Sequence, residues 1–103
     1  MHVPPSSDQL ASFLQRLRRA VTEGRVEIRA YAVEGMRDLE WTAEDLRLQL
    51  LELAVEDFLR VEDSTTPQGG VIWVFTPEFW DGGHLWIRLV ERAGIVVISF
   101  HRG

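Results

Sequence analysis

Cysteine is missing from this chain, which excludes disulfides and thiolate metal sites. Lysine is missing too: the eleven basic side chains are all arginine. No mechanism here uses an ammonium group as nucleophile or proton carrier, so fixed positive charge serves to grip anions. Histidine is scarce, with His2 beside the N-terminus and His84 and His101 near the other end. Three such residues form no recognisable ligand set, so no metal and no cofactor are expected. No apolar run approaches the roughly 20 residues of a membrane helix. Residues 1–5 have neither a basic nor an apolar stretch, so they read as a frayed start with no signal peptide, and a cytoplasmic location is expected. Gly69-Gly70 and Gly82-Gly83 lack the strand–loop–helix setting of a phosphate-binding loop. Ser6, Ser7, Ser64 and Ser99 sit in no nucleophile elbow.

What is present describes an ordinary globular chain. Its 103 residues are 46% apolar and 26% charged, enough for one modest core and one domain spanning 1–103. The net charge of −5 argues mildly against wholesale nucleic-acid binding. The charge is uneven, however. Residues 34–63 hold ten acidic side chains and three arginines, and the remainder of the chain is slightly positive.

Local patterns divide the chain into helices first and strands later. Ser6 with Gln9 three residues on is a capping-box signature. Leu10, Phe13, Leu14, Leu17 and Val21 follow at helical spacing, and Gly24 is placed to end the helix. Residues 25–39 are ambiguous: Val26, Ile28 and Ala30 alternate like a short strand, and Gly35 weakens any long helix. Thr42 and Asp45 form a second capping box before Leu46, Leu50 and Leu53, with Leu48 and Leu51 widening the apolar stripe. Strands are expected at 58–62, 72–76, 84–91 and 95–101, with residues 64–70 as a turn and Arg92-Ala93-Gly94 as a tight hairpin. The expected fold is α+β: two N-terminal helices packed on a twisted antiparallel sheet.

Alternation in the last hairpin points to a polar sheet face. In its first strand, Leu85, Ile87 and Leu89 oppose His84, Trp86, Arg88 and Val90. In its second, Val96, Ile98 and Phe100 oppose Ile95, Val97, Ser99 and His101. With an even-length loop, antiparallel parity brings His84, Trp86, Arg88, Ser99 and His101 to the side away from the helices. Metal-free RNA cleavage asks for such groups: an imidazole to move protons, a guanidinium to hold phosphate, and an indole to stack a base. The same residues also suit a plain solvated sheet face, and spacing does not choose between the two.

The order of these segments resembles the MqsR family of type II toxins, within the wider RelE-like group of small ribonucleases. The likeness runs from about Leu10 to the end. It is carried by Val21-Thr22-Glu23-Gly24-Arg25-Val26, by Leu50-Leu51-Glu52-Leu53-Ala54-Val55-Glu56-Asp57-Phe58, by Ile72-Trp73 with Pro77, by Gly83-His84-Leu85-Trp86-Ile87-Arg88, and above all by Val97-Ile98-Ser99-Phe100. The resemblance implies a RelE-like fold and an endoribonuclease, an mRNA interferase that cuts messenger RNA without a metal and is held in check by a cognate antitoxin protein. It implies His101 as general acid or base, Arg88 and Arg60 as phosphate clamps and Trp86 as a base-stacking platform; the shared sheet face adds His84 as a weaker second proton carrier. The chain departs from the family pattern at three of the matched positions. Trp86 stands where an aromatic, often tyrosine, is expected and has no phenol; Val74 stands where some members carry glutamine; Arg60 stands where lysine occurs and is no general base. Three readings stay open: an RNA-cutting toxin, a binding module anchored by Trp73, Trp80 and Trp86, and an inhibitor acting through the acidic segment.

Overall fold

The structure, a computed structural model, describes residues 3–64 and 70–103. The readings made for Met1, His2 and most of the 64–70 turn lie outside the described residues. Helix α1 spans Ser7–Thr22 and starts on the expected capping box: Ser6 Oγ accepts from the Gln9 amide, and Gln9 Oε1 accepts from the Ser6 amide at 2.8 Å. Leu10, Phe13, Leu14, Leu17, Ala20 and Val21 are all buried, as the helical spacing predicts. Gly24 follows with φ of 73°, the left-handed position that ends the helix at little cost for glycine.

The ambiguous stretch resolves into a short strand β1 (Val26–Ile28) and a helix α2 (Ala30–Asp38). Gly35 lies inside α2 and does not break it. A Cβ there would fall 1.6 Å from the Phe100 carbonyl oxygen, so the glycine lets α2 press directly on a strand backbone. Helix α3 (Ala43–Glu52) begins on the Thr42–Asp45 capping box. It buries Leu46 and Leu50 while leaving Leu48 about half exposed; Leu48 therefore does not widen the buried stripe. A single 3-10 turn (Val55–Asp57) leads into strands β2 (Phe58–Asp63), β3 (Val71–Phe75), β4 (Leu85–Glu91) and β5 (Ile95–Arg102).

The sheet order is β1-β5-β4-β3-β2. Strands β2 to β5 pair antiparallel, but β1 runs parallel to β5. The protein is thus an α+β domain with three helices and a five-stranded mixed sheet, in place of two helices on an all-antiparallel one. All three helices contribute to one core with Phe75, Leu85, Ile87, Leu89, Ile95, Val97 and Phe100. Trp73 joins it by stacking on Phe13 at 4.2 Å between ring centroids, and Trp41 packs at 5.3 Å from Phe100. One sheet face is therefore spent on the core, and the other is left facing away from the helices. Among the described residues, no helix is long and apolar enough to cross a membrane.

The β4–β5 hairpin differs from the expected parity in an instructive way. Its loop, Arg92 to Gly94, has three residues, since Glu91 pairs with Ile95. An odd loop alone would have turned His101 toward the core. A bulge intervenes: Arg88 pairs with Ser99 while Leu89 pairs with Val97, so Ile98 is the extra residue. The bulge restores the parity that an even loop would have given, but only beyond residue 98. Ser99 and His101 keep the expected outer face. Ile95 and Val97, expected beside them, belong to the core cluster, and Val96 does not.

Candidate nucleic-acid interface

The outer face is built from cross-strand rows. Arg60, Val74, Arg88 and Ser99 are successive register partners across β2, β3, β4 and β5. The next row brings Trp86 directly opposite His101. The row on the other side holds Glu62, Ile72, Val90 and Val96. A second bulge, at Leu59, lets Phe58 face the core while Arg60 faces outward.

Side chains converge on Trp86. Its ring lies nearly parallel to the His101 imidazole, at 6.3 Å between centroids and 4° between planes. The Arg60 guanidinium carbon lies 5.8 Å from the indole centroid and that of Arg88 lies 5.9 Å from it. Both distances are within cation–π range. Val74, which offers no polar group, is fully buried although it belongs to this face. Its register partners on either side are Arg60 and Arg88, side chains whose aliphatic stems are long enough to shield a small neighbour while the charged heads stay in water. His101 is exposed, on a diagonal from Arg88 that puts their Cα atoms about 7–8 Å apart.

His84 stands apart from this group. It lies just before β4, in an isolated bridge with Glu78, and is exposed. The Gly103 amide donates to its carbonyl at 3.0 Å, which continues the β4–β5 register and makes His84 a diagonal neighbour of His101. Of the five residues singled out from sequence, Arg60, Arg88 and His101 gather on the ring of a fourth, Trp86, and His84 lies two register positions beyond it.

Glu62 is the member of this site that the sequence reading missed. Arg60 donates from Nε to its Oε2 at 2.8 Å, and Arg88 donates from Nε to its Oε1 at 3.2 Å. Partial burial opposes its ionisation, but the hydrogen bonds and charges of Arg88 and Arg60 outweigh that and hold the carboxyl below its ordinary value. The signal was available, because Glu62 is two residues from Arg60 on one strand and so shares its face. Ser99 adds a buried hydroxyl with no hydrogen-bond partner.

Other features lie off this face. Arg102 pairs with Asp81 and packs its guanidinium 5.5 Å from the Phe79 centroid. Trp80, at the tip of the β3–β4 connection, is 85% exposed. A groove of about 480 Å³ between α1 and the β2–β3 hairpin is lined by Val3, Pro5, Gln9, Arg16 and Trp73 among others; it contains none of the five candidate catalytic residues, though Trp73 is one of the expected partner anchors. Among the described residues, no group of three or more histidine, aspartate or glutamate side chains is placed to hold a metal ion. Comparison with known families finds no matching family model, and comparison with curated proteins finds no significant similarity. The chemistry of the outer face therefore carries the functional reading.

Proposed function

We propose that this protein is a metal-independent endoribonuclease with a RelE-like fold, acting as the toxin of a toxin–antitoxin pair on single-stranded messenger RNA. The observation that supports it is the Trp86–His101 register pair with two guanidiniums gathered on the same indole. In this reading a base stacks on Trp86, a contact open to any base. Arg88 and Arg60 steady the charge that grows on the phosphate. The substrate's 2′-oxygen forms a bond to phosphorus as the bond to the 5′-oxygen breaks, leaving a 2′,3′-cyclic phosphate and a 5′-hydroxyl. His101 handles one of the two protons, taking it from the 2′-hydroxyl or giving it to the leaving oxygen, and His84 handles the other.

The test is incubation of purified protein with single-stranded and structured RNA in the presence of a chelator. Cleavage leaving cyclic phosphate ends, abolished by His101→Ala and slowed by His84→Ala, is the expected result. Equal cleavage by wild type and His101→Ala would end the assignment. Growth arrest on expression, relieved by a neighbouring gene's product, tests the toxin role.

A second reading is supported by Glu62, which occupies both guanidiniums that cleavage would use. In that reading the same face binds a partner without cutting it. Arg and Trp substitutions then weaken binding, and no cleavage appears under any condition.

A further inference from the structure

One carboxylate serves both guanidiniums of the outer face. Arg60 directs Nε and Nη2 at Oε2 of Glu62, each at 2.8 Å, and Arg88 reaches the other oxygen, Oε1. Guanidinium donors on the two oxygens of a single anion are the contact these groups make with phosphate as well as with carboxylate. A phosphodiester presents two non-bridging oxygens and one negative charge, as the carboxylate does. Both guanidinium carbons also lie within 6 Å of the Trp86 centroid, so an anion held here sits beside the stacking surface. Across the strand from Arg88, the Ser99 hydroxyl is buried without a partner.

We propose that Arg60 and Arg88 form a seat for one phosphodiester of a single-stranded nucleic acid, and that Glu62 fills this seat in the free protein. Binding then exchanges the carboxylate for the phosphate. This rests on the reading of the face as an RNA surface and adds to it the place of one phosphate and a resident competitor for it. Two guanidiniums and one carboxylate leave a single net positive charge. With Glu62 displaced, a phosphodiester leaves the seat with the same balance. The exchange asks little of the fold. Glu62 lies on β2, an edge strand, and its side chain is already 28% exposed, so it turns into adjacent solvent.

The experiment measures binding of a fluorescently labelled 2′-O-methyl RNA decamer, which lacks the attacking hydroxyl, by anisotropy at low salt with chelator. Glu62→Gln is expected to bind about three- to tenfold more tightly than wild type, the size expected for removing one like charge roughly 5 Å from a phosphate in a water-rich setting. Glu62→Asp keeps the charge but is too short to span both guanidiniums, and its gain is expected to be smaller. The gain from Glu62→Gln is expected to vanish when Arg60→Ala and Arg88→Ala are also present, because the carboxylate acts through those two groups. Thermal melts of each variant check folding. If wild type binds and Trp86→Ala weakens binding, yet Glu62→Gln binds no more tightly or its gain survives loss of both arginines, the seat is refuted while the RNA face stands. If neither wild type nor Glu62→Gln binds RNA, the RNA face falls and the seat falls with it.

Discussion

Replacing Gly35 by alanine sets two physical effects against each other. In an isolated helix the change is favourable, since alanine is better than glycine by about 1 kcal/mol in a helix interior. Inside this protein the added methyl would lie 1.6 Å from the Phe100 carbonyl oxygen, 2.6 Å from its carbon and 3.3 Å from the His101 Cα. Comfortable contact asks for about 3.5 Å, so α2 and β5 must part by well over 1 Å. The obstructing atoms are backbone, and no rotamer change relieves them. Overpacking of this kind typically costs about 1–3 kcal/mol, and here it also loosens Ala32 and Met36, both buried on α2. Since only backbone can yield, the upper end of that range applies, and a net loss of about 2 kcal/mol remains after the helix gain of about 1 kcal/mol, a fall in Tm of roughly 10 °C for a domain of this size. Because the clash reaches residues 100 and 101, the imidazole NMR signals of His101 are expected to shift as well. Thermal denaturation followed by circular dichroism reads the first effect. A Gly35→Ala variant melting at or above the wild-type temperature would falsify the close packing of α2 on β5.

Three further outcomes follow from particular contacts. Ser99→Ala removes a buried hydroxyl that has no partner, so urea denaturation is expected to show a gain of about 1 kcal/mol; a loss of that size would mean that the hydroxyl is bonded. The carboxyl of Glu62 is held below its ordinary value of 4.5. Its contribution to stability is therefore fully present above that pH and is lost as pH falls through the lower folded-state value. Wild type is expected to lose stability over that acid range more steeply than Glu62→Gln, and parallel curves would contradict the Arg60–Glu62–Arg88 bridge. Thr42→Ala removes the oxygen that accepts from the Asp45 amide and is expected to cost about 1 kcal/mol in the same urea titration; an unchanged midpoint would show that the cap contributes nothing.

Much of the local structure was legible because its causes are local. Both capping boxes, the buried stripe of α1 and the glycine stop at Gly24 depend on residues within a few positions of each other, and they fold as their spacing predicts. The strands of the C-terminal half follow from β-branched and aromatic runs between turns. The part Gly35 plays was not legible, because a helix-weakening residue looks the same in sequence whether it limits a helix or lets one approach a strand; the strand it meets is 65 residues further on. The parallel pairing of β1 with β5 is hidden for the same reason, since three residues carry no mark of a distant partner.

The site divides in the same way. Strand alternation alone sufficed to put Trp86 beside Arg88's face and Ser99 beside His101's, because side-chain direction repeats every two residues whatever the rest of the chain does. Tertiary structure decided how those strands face each other. A three-residue loop and a bulge at Ile98 together set the parity that stands His101 against Trp86, and a bulge is a property of two paired strands rather than of either one. Tertiary structure also decided what the arginines hold. Arg60 and Glu62 share a strand, but Arg88 is 26 residues from Glu62, and only the packing of β2, β3 and β4 into one sheet brings both guanidiniums onto one carboxylate and one indole.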